Sequence, residues 1–443
     1  MSSEYSNDIK CVELEPIYFA QDSRVEWRLH PNKLYTNSLT LMNLGITKAS
    51  GGRLNKLVGC YGTVSRIYLQ DGNQELEVLT RANEWLGIKS HLHSNQYNEE
   101  LAMDFSGNQK SNRIDVRDIT TAQDATLGAM GKKIIQGGVR PQLGTIDATK
   151  ENTFKGQMDL SECFSLLQSV PYLDTSIFKD LKVIIEFDMK ESNVVASIQD
   201  GTERHQLRPY LVVEEVVAQD ILEASLGKKP QAIPYTPIES DVFMVPAMKP
   251  ATTDLNPVQD LTFHVSSYNN KKVARMLVAT RTMTSTNNQD GTGKDVVYGN
   301  YNSHGMLQQK NQVRVNGRSV LPRNGIERDN QRLAMMADVW SASASIAPFQ
   351  NGLAFVAVDS NARSNYMLEG NASVGVADYF GINLASVLIE DLQLDYTRTG
   401  IWNGTQAQTD LSKYNSALEL HIFAEVRKGI VFGQNGGYNI VYL

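Results

Sequence analysis

Two histidines separated by one residue are the first candidate for chemistry in this sequence. His91 and His93 would share one face of a β-strand, because strand side chains alternate, and zinc sites use imidazole pairs of this kind. No third ligand with a meaningful spacing lies nearby, so the pattern favours a polar loop over a metal site. The other histidines are scattered, and none has a neighbour that indicates nucleophilic catalysis: His30, His205, His264, His304 and His421.

Adjacent acidic residues suggest a second chemistry, that of the paired carboxylates in a glycosidase. The pairs Glu214-Glu215 and Glu390-Asp391 are the candidates. Neighbouring residues on a strand point to opposite faces, so neither pair can flank one glycosidic bond by itself. We interpret both pairs as solvated strand edges, where charge discourages aggregation between sheets.

Phosphate-binding and nucleophile motifs are missing from the sequence. The segment from Gly128 to Lys133 contains a Gly-Lys step, but a P-loop needs glycine at 126 and serine or threonine at 133, where Thr126 and Lys133 stand. G-x-S-x-G, H-E-x-x-H and G-x-G-x-x-G do not occur. We therefore predict no catalytic residue, no metal ligand and no cofactor, and a protein that is not an enzyme.

The charge balance argues against wide electrostatic capture of nucleic acid. The 443 residues contain 42 Lys and Arg against 49 Asp and Glu, a formal charge of −7. Binding of this kind needs a clustered basic surface. The basic residues instead occur singly or in pairs that look like solvated faces: Lys132-Lys133, Lys228-Lys229, Lys271-Lys272 and Arg427-Lys428. No specific nucleic-acid binding is expected.

The composition is that of an ordinary globular protein able to bury large cores, with 41% hydrophobic and 21% charged residues. The first residues carry no basic or apolar region of a signal peptide, and no apolar run approaches the ~18 residues of a membrane-spanning helix. Three unpaired cysteines, Cys11, Cys60 and Cys163, indicate reduced thiols and synthesis inside a cell without a signal peptide.

The elements that would position any site are short strands separated by turns about every ten residues, the pattern of an all-β sandwich. Val64–Leu69 stops at Asp71-Gly72, and Val313–Gly317 stops at Asn316-Gly317, two dipeptides that favour tight turns. The other predicted strands are 27–29, 38–44, 181–187, 210–217, 261–266, 275–280, 353–357, 392–397 and 418–426.

Two helical stretches follow those turns in matching places, Glu75–Gly87 and Ile326–Trp340, each with apolar residues at helical spacing. Farther on, each half has a charged-then-alternating strand (179–185 and 390–396) and a closing strand (210–217 and 418–426). The order strand, turn, helix, long connection, strand and closing strand therefore occurs twice.

A proline cluster lies between the two copies. Six of the 13 prolines fall within residues 230–257, and the run Pro230-Gln-Ala-Ile-Pro234-Tyr-Thr-Pro237 cannot continue a helix or a central strand. We interpret residues 226–258 as a connector and predict a boundary near residue 230, with one unit at 1–229 and another at 230–443.

Four segments resemble the double jelly-roll major capsid proteins of double-stranded DNA viruses, in the branch of polinton-like viruses and virophages. They are Gly52–Leu69, Met158–Leu167 leading into Leu181–Phe187, Arg314–Pro322 and Glu390–Arg398. The second is the most specific, since it is similar to a helix followed by an "L-x-(V/I)-x-I-E" strand in many members. Many large-virus members are longer and carry tall insertions, for which 443 residues leave little room.

This resemblance implies two tandem jelly-roll sandwiches with short helices in the inter-strand loops. It also implies a major capsid protein located in the virion, whose homotrimers form pseudo-hexagonal capsomers of an icosahedral shell. The implied partners are further copies of the chain, neighbouring capsomers, and penton and minor capsid proteins, with an internal membrane possible beneath the shell. Cofactors and catalytic residues are not implied.

The sequence also suggests where subunits would meet. The long polar segments 88–150 and 281–312 are candidates for trimer contacts and an outer crown. Residues 1–20, with apolar Ile17, Tyr18 and Phe19, and the segment Gly429–Leu443 are expected to reach beneath a neighbour.

Three alternatives stay open at this point. A minor capsid protein of the same fold is one. A carbohydrate-binding or adhesion sandwich is another, but Trp85 and Trp340 belong to apolar helix stripes, which leaves Trp402 as its candidate aromatic platform. A hydrolase built on paired sandwiches has only the acidic residues above to support it.

Overall fold

The structure of the protein is a computed structural model. The described residues are 8–47, 52–53, 59–93, 145–146, 155–188, 205–248, 258–282, 308–326, 331, 335, 339, 379–399, 417–433 and 437–443. Among them, no helix combines the length and the apolar character that a membrane crossing needs.

The strands belong to two lobes and one small sheet. The first lobe contains β1 (Ile9–Leu14), β2 (Tyr18–Ala20), β3 (Arg24–Arg28), β4 (Leu34–Leu44), β5 (Ile46–Thr47), β6 (Gly52–Arg53), β7 (Val64–Asp71), β8 (Gln74–Thr80), β9 (Thr145–Ile146), β10 (Gly156–Asp159), β11 (Tyr172–Asp174), β12 (Leu181–Phe187), β13 (His205–Gln206) and β14 (Tyr210–Val216). The remaining strands are β15 (Ala232–Tyr235), β16 (Ile238–Val245), β17 (Val258–His264), β18 (Lys271–Thr282), β19 (Gln308–Val315), β20 (Arg318–Ser319), β21 (Tyr379–Ile389), β22 (Leu392–Thr399), β23 (Leu418–Val426), β24 (Lys428–Phe432) and β25 (Tyr438–Tyr442).

Both lobes have the same strand order. In the first lobe the two main sheets run β1-β14-β4-β10 and β3-β12-β7-β8, with β2 added beside β3 and β11 beside β4. In the second lobe they run β16-β23-β18-β21 and β17-β22-β19-β20. If the eight main strands of each lobe are counted along the chain, both lobes read 1-8-3-6 in one sheet and 2-7-4-5 in the other. This is the topology of a jelly roll, and it confirms the prediction of two such sandwiches in one chain.

The antiparallel order places the connections at alternating ends of each lobe. Strands 1 and 2, 3 and 4, 5 and 6, and 7 and 8 are joined at one end, which we call the long-connection end: 15–23, 45–63, 81–155 and 188–209, then 246–257, 283–307, 320–378 and 400–417. The other joins lie at the opposite, short-turn end: 29–33, 72–73 and 160–180, then 265–270, 316–317 and 390–391. The two ends of the molecule therefore present different amounts of chain.

Two large hydrophobic cores fill the lobes. The first lies between the main sheets of the first lobe, around fully buried residues such as Trp27, Leu39 and Val183, and it extends to Leu277 and Phe423 of the second lobe. The second core is confined to the second lobe, around Ile382, Leu394 and Ile422. The first core thus continues across the contact between the lobes.

A small three-stranded sheet, β15-β24-β25, covers the short-turn end of the first lobe. Phe178, in the connection 160–180, contacts Phe432 and Tyr438 at ring-centroid distances of 6.4 and 5.8 Å. The Tyr438 hydroxyl also donates a hydrogen bond to Asp71. The C-terminal segment that we expected to reach beneath a neighbour therefore lies against its own chain. Pro234 lies in edge strand β15, as its missing N–H requires.

The helices differ in part from the prediction. Residues Gln74–Thr80 form strand β8, and helix α1 begins only at Ala82 and ends at His93, so the predicted helix Glu75–Gly87 is wrong in its first half. The tight turn after Asp71 makes β8 pair with β7. Two shorter helices are α2 (Ser165–Ser169) and α3 (Gln219–Ser225).

In the second predicted helix, residues 331, 335 and 339 are helical, and the apolar stripe proposed for it lies outside the described residues. The same holds for the predicted strand 353–357. The boundary near residue 230 stays a prediction.

Candidate functional site: the seam between the lobes

The lobes meet along a seam formed by β8 and α1 of the first lobe and by β16 and β23 of the second. The Tyr235 hydroxyl donates to the carbonyl oxygen of Leu76 at 2.6 Å, and the hydroxyls of Thr80 and Ser240 lie 2.7 Å apart. The chain from 76 to 80 therefore runs in the same direction as the chain from 235 to 240. Since β8 and β16 both run toward a long-connection end, the two lobes stand parallel with those ends on the same side.

Aromatic packing stabilises the seam. Trp85 of α1 is 4% exposed and lies 5.4 Å, between ring centroids, from the fully buried Phe423 of β23. The burial of Trp85 confirms the expectation that it is a core residue and not a sugar-binding platform. Burying two large rings at one contact contributes several kcal/mol of hydrophobic stabilisation, about 1.5–3 kcal/mol for each side chain.

A buried histidine crosses the seam beside these rings. Nδ1 of His421 lies 2.8 Å from Oε2 of Glu84 in α1, and Nε2 lies 3.0 Å from Oε2 of Glu419 in β23. The imidazole is fully buried and stacks on Phe423. The close contact between His421 and Glu84 links the second lobe to the first inside the seam.

The same three residues are the one group of potential metal ligands within the described part of the chain. The two carboxylates, however, contact opposite nitrogens of one imidazole ring. A metal ion binds a single ring nitrogen and would require both carboxylates on that side. The geometry therefore fits an imidazole held between two carboxylates and does not fit a metal centre.

A second buried carboxylate lies nearby, at the short-turn side of the seam. Glu77 of β8 accepts hydrogen bonds from the backbone N–H and the hydroxyl of Ser165, both at 2.8 Å, and from the backbone N–H of Leu166 at 2.9 Å. It thereby caps the first turn of α2. Burial raises the pKa of Glu77 to about 7, against the lowering effect of these hydrogen bonds and of the Lys428 charge. The Ser165–Glu77 contact is thus part of a helix cap and not a nucleophile with its base.

A cluster of opposite charges joins the small sheet β15-β24-β25 to the second lobe. Glu239 of β16 contacts Lys271 at 2.7 Å and Lys428 at 2.8 Å. Both ammonium groups lie over the ring of Tyr442, at 5.1 and 5.0 Å from its centroid. An open cleft of about 460 Å³ beside this cluster is lined partly by Lys272 and Arg427. Lys271 and Lys428 thus serve the packing of β25 on the second lobe, whereas Lys272 and Arg427 are exposed and line the cleft.

The structure also places the other candidate residues. His91 and His93 are in helix α1, so the strand geometry considered for a zinc pair is wrong, because residues two apart on a helix are separated by about 200°. Glu215 pairs with Lys33, while Glu214 accepts from the Thr36 hydroxyl at 2.8 Å, on the opposite face as expected.

Glu390 and Asp391 form a turn and not a catalytic dyad, since both backbone N–H groups donate to Oδ1 of Asn316.

Several other candidates lie outside the described residues: Trp340, Trp402, Lys132-Lys133 and most of the segments 88–150 and 281–312. Residues 18–20 of the expected N-terminal arm pair with β3, where Ile17 and Tyr18 are 57% and 51% exposed.

The residues that join the lobes were not predicted from the sequence. Glu84 and His421 belong to segments that are far apart in the chain, and neither has a spacing that indicates the other. Glu77 lies in a segment whose residue spacing predicts a helix, and that pattern indicates no partner for its carboxylate. The one available signal is that Glu84 is an acidic residue in the first turn of α1, which begins at Ala82.

No protein-family model and no curated protein sequence matches the chain. Solved structures do match over nearly its whole length. PBCV-1 VP54, in a crystal structure fitted into a cryo-EM reconstruction of the virophage Sputnik, is 10% identical with a TM-score of 0.56, over 98% of this chain and 96% of that one. The mavirus major capsid protein is 10% identical with a TM-score of 0.54, over 100% and 91% of the two chains.

The Faustovirus major capsid protein is 8% identical with a TM-score of 0.50, over 96% of this chain and 90% of that one. The similarity spans both lobes, since each match covers at least 96% of this chain. At this level of identity the likeness concerns the fold. The chain therefore has the double jelly-roll fold found in these viral major capsid proteins.

Proposed function

We propose that the chain is a major capsid protein whose homotrimers form pseudo-hexagonal blocks in the icosahedral shell of a DNA virus. The observation that carries the proposal is the repetition of one jelly roll in two parallel lobes. Three such chains supply six similar lobes, and a ring of six lobes tiles a flat face as a hexagon does. The same fold in viral major capsid proteins supports this function.

The two ends of the lobes differ in the amount of connecting chain that they carry, which suits a shell with an outer and an inner surface. The two longest connections, 81–155 and 320–378, each start and finish at the long-connection end of their lobe, and the other end carries much less chain. We expect the long-connection end to form the outer surface of the virion and the short-turn end to face its interior. Neighbouring capsomers, penton and minor capsid proteins, and an internal membrane if one is present, are the expected partners.

This function is assembly, so it requires no catalytic centre. The buried polar groups of the seam have structural partners: His421 bridges two carboxylates, and Glu77 caps a helix. We therefore propose a role without enzymatic activity.

The mass of the purified protein in solution tests the proposal. A trimer has a mass of 3 × 49.3 kDa, about 148 kDa, and its particles should have hexagonal outlines in negative stain. Light scattering coupled to size-exclusion chromatography distinguishes this from the single chain. A protein that stays monomeric at all accessible concentrations, and forms no hexagonal particles, would contradict the proposal.

A further inference from the structure

The seam within the chain indicates which surfaces of different chains fit together. Within the chain, the fifth strand of the first lobe and the residues after it (β8 and α1) pack on the outward face of the first and eighth strands of the second lobe. The two lobes share one topology, so each surface has an equivalent in the other lobe. The equivalent of β8 is β20, and the equivalents of β16 and β23 are β1 and β14.

Hydrogen bonds fix the residue-by-residue correspondence of these faces. The Val217 N–H donates to the carbonyl of Asp8, and the Val426 N–H donates to the carbonyl of Pro237 in the same position of the second lobe. Counting from these bonds, the seam residues of the second lobe correspond to outward residues of the first: Ser240 to Cys11, Val242 to Glu13, His421 to Val212 and Phe423 to Glu214.

Each of these four positions on the face of the first lobe is more exposed than its equivalent on the face of the second. Cys11 and Glu13 are exposed, and they pair across the strands with Glu214 and Val212 respectively. Leu14 and Val213 point the other way, into the first core. The equivalent positions in the second lobe, by contrast, hold the buried Phe423 and His421.

The charges of the two unused surfaces are opposite. The residues after the tight turn of the second lobe, Arg318-Ser-Val-Leu-Pro-Arg-Asn324, contain two arginines and no acid. Arg318 and Arg323 are exposed, and neither makes an ion pair with any described residue. The face on β1 and β14 carries Glu13 and Glu214, which likewise lack a cationic partner in the described part of the chain.

We propose that the segment 318–324 of one chain docks on the outward face of β1 and β14 of a second copy. This inference rests on the proposed function. The contact repeats, between chains, the arrangement that joins the lobes within a chain. It is heterologous, since one surface meets a different one, and it closes into a ring when three copies complete six lobes. The exposed Val320, between the arginines, supplies apolar area to the contact.

Charge reversal tests the contact. Variant A carries Glu13→Arg and Glu214→Arg, variant B carries Arg318→Glu and Arg323→Glu, and variant C carries all four changes. Like charges repel in A and B, so the protein concentration at half-dissociation should rise at least tenfold, and C should return it to near the wild-type value. Glu223→Arg, an exposed change on α3, is the matched control and should stay trimeric.

The measurement is the mass across a dilution series, with circular dichroism to verify folding. Variant A could unfold because Glu214 loses its hydrogen bond with the Thr36 hydroxyl. In that case the single change Glu13→Arg is used in place of variant A. A wild-type protein that never forms trimers refutes the proposed function itself. Wild-type trimers that A and B leave unchanged refute only this contact. Failure of C to recover, when A and B dissociate, also refutes the pairing of these two surfaces.

Discussion

Replacement of Glu77 by glutamine tests whether a buried carboxylate makes the stability of this protein depend on pH. Glu77 is almost completely buried and holds α2 to β8 through three hydrogen bonds. Burial raises its pKa from 4.5 to about 7. Glutamine has nearly the same shape and does not ionise, so Glu77→Gln removes this titration with little change in volume.

The magnitude follows from the size of the shift. Each pKa unit corresponds to about 1.4 kcal/mol, so a rise from 4.5 to about 7 corresponds to about 3 kcal/mol of unfolding free energy. The folded protein binds the proton more tightly than the unfolded chain does. This contribution is therefore fully present below pH 4.5 and is lost as the pH rises through about 7. Between pH 5 and pH 8 the loss amounts to about 2.5 kcal/mol.

Urea unfolding of the wild type and of Glu77→Gln at pH 5 and at pH 8 measures this loss. The variant should gain about 2.5 kcal/mol relative to the wild type between the two pH values, whatever its stability at pH 5. Glu75→Gln, an exposed change on the same strand, is the control and should follow the wild type within about 0.5 kcal/mol. A constant difference between wild type and Glu77→Gln would show that the pKa of Glu77 is not raised.

Two further predictions concern packing at the seam and backbone conformation in the second lobe. Trp85→Ala removes a buried ring from its contact with Phe423 and should lower the unfolding free energy by about 3–5 kcal/mol, whereas Tyr18→Ala at an exposed ring should cost less than about 1 kcal/mol. Gly325→Ala places a methyl group 2.5 Å from a backbone carbonyl oxygen at φ +72°, while Gly317→Ala at φ +75° meets no atom within 4 Å. Gly317→Ala should therefore cost about 1–2 kcal/mol and Gly325→Ala clearly more. Thermal unfolding ranks each pair, and equal effects within a pair would contradict the reasoning.

The strands of the two lobes could largely be predicted because their sequence patterns are local. Leu181–Phe187 and Leu418–Val426 have the predicted bounds, and their branched and aromatic residues suit a strand whether or not its partners are known. The tight turns at Asp71-Gly72 and Asn316-Gly317 were equally visible, because Gly72, Asn316 and Gly317 adopt positive φ. Those turns place each fifth strand beside the fourth, which is one element of the jelly-roll order.

Strand β8 shows where local pattern fails. Leu76, Glu77 and Leu79 are all buried, so the polar–apolar alternation of a half-buried strand is absent and the leucine spacing fits a helix equally well. Leu76 and Leu79 face cores, while Glu77 caps α2 from the next long segment of the chain. Only the tertiary structure brings these partners together. Because β8 is buried on both faces, its sequence lacks the two-residue polar–apolar alternation from which a strand is predicted.

The sequence by itself determined the all-β class, many of the strands, the matching tight turns of the two lobes and the absence of recognisable catalytic motifs, because each of these depends on neighbouring residues. The tertiary structure decided how the two lobes are oriented relative to each other and which residues join them. The bridge from Glu84 to His421, the packing of Trp85 on Phe423 and the return of β24 and β25 to the first lobe all join residues far apart in the chain. Such contacts depend on which sheet faces meet, and no residue spacing encodes that choice.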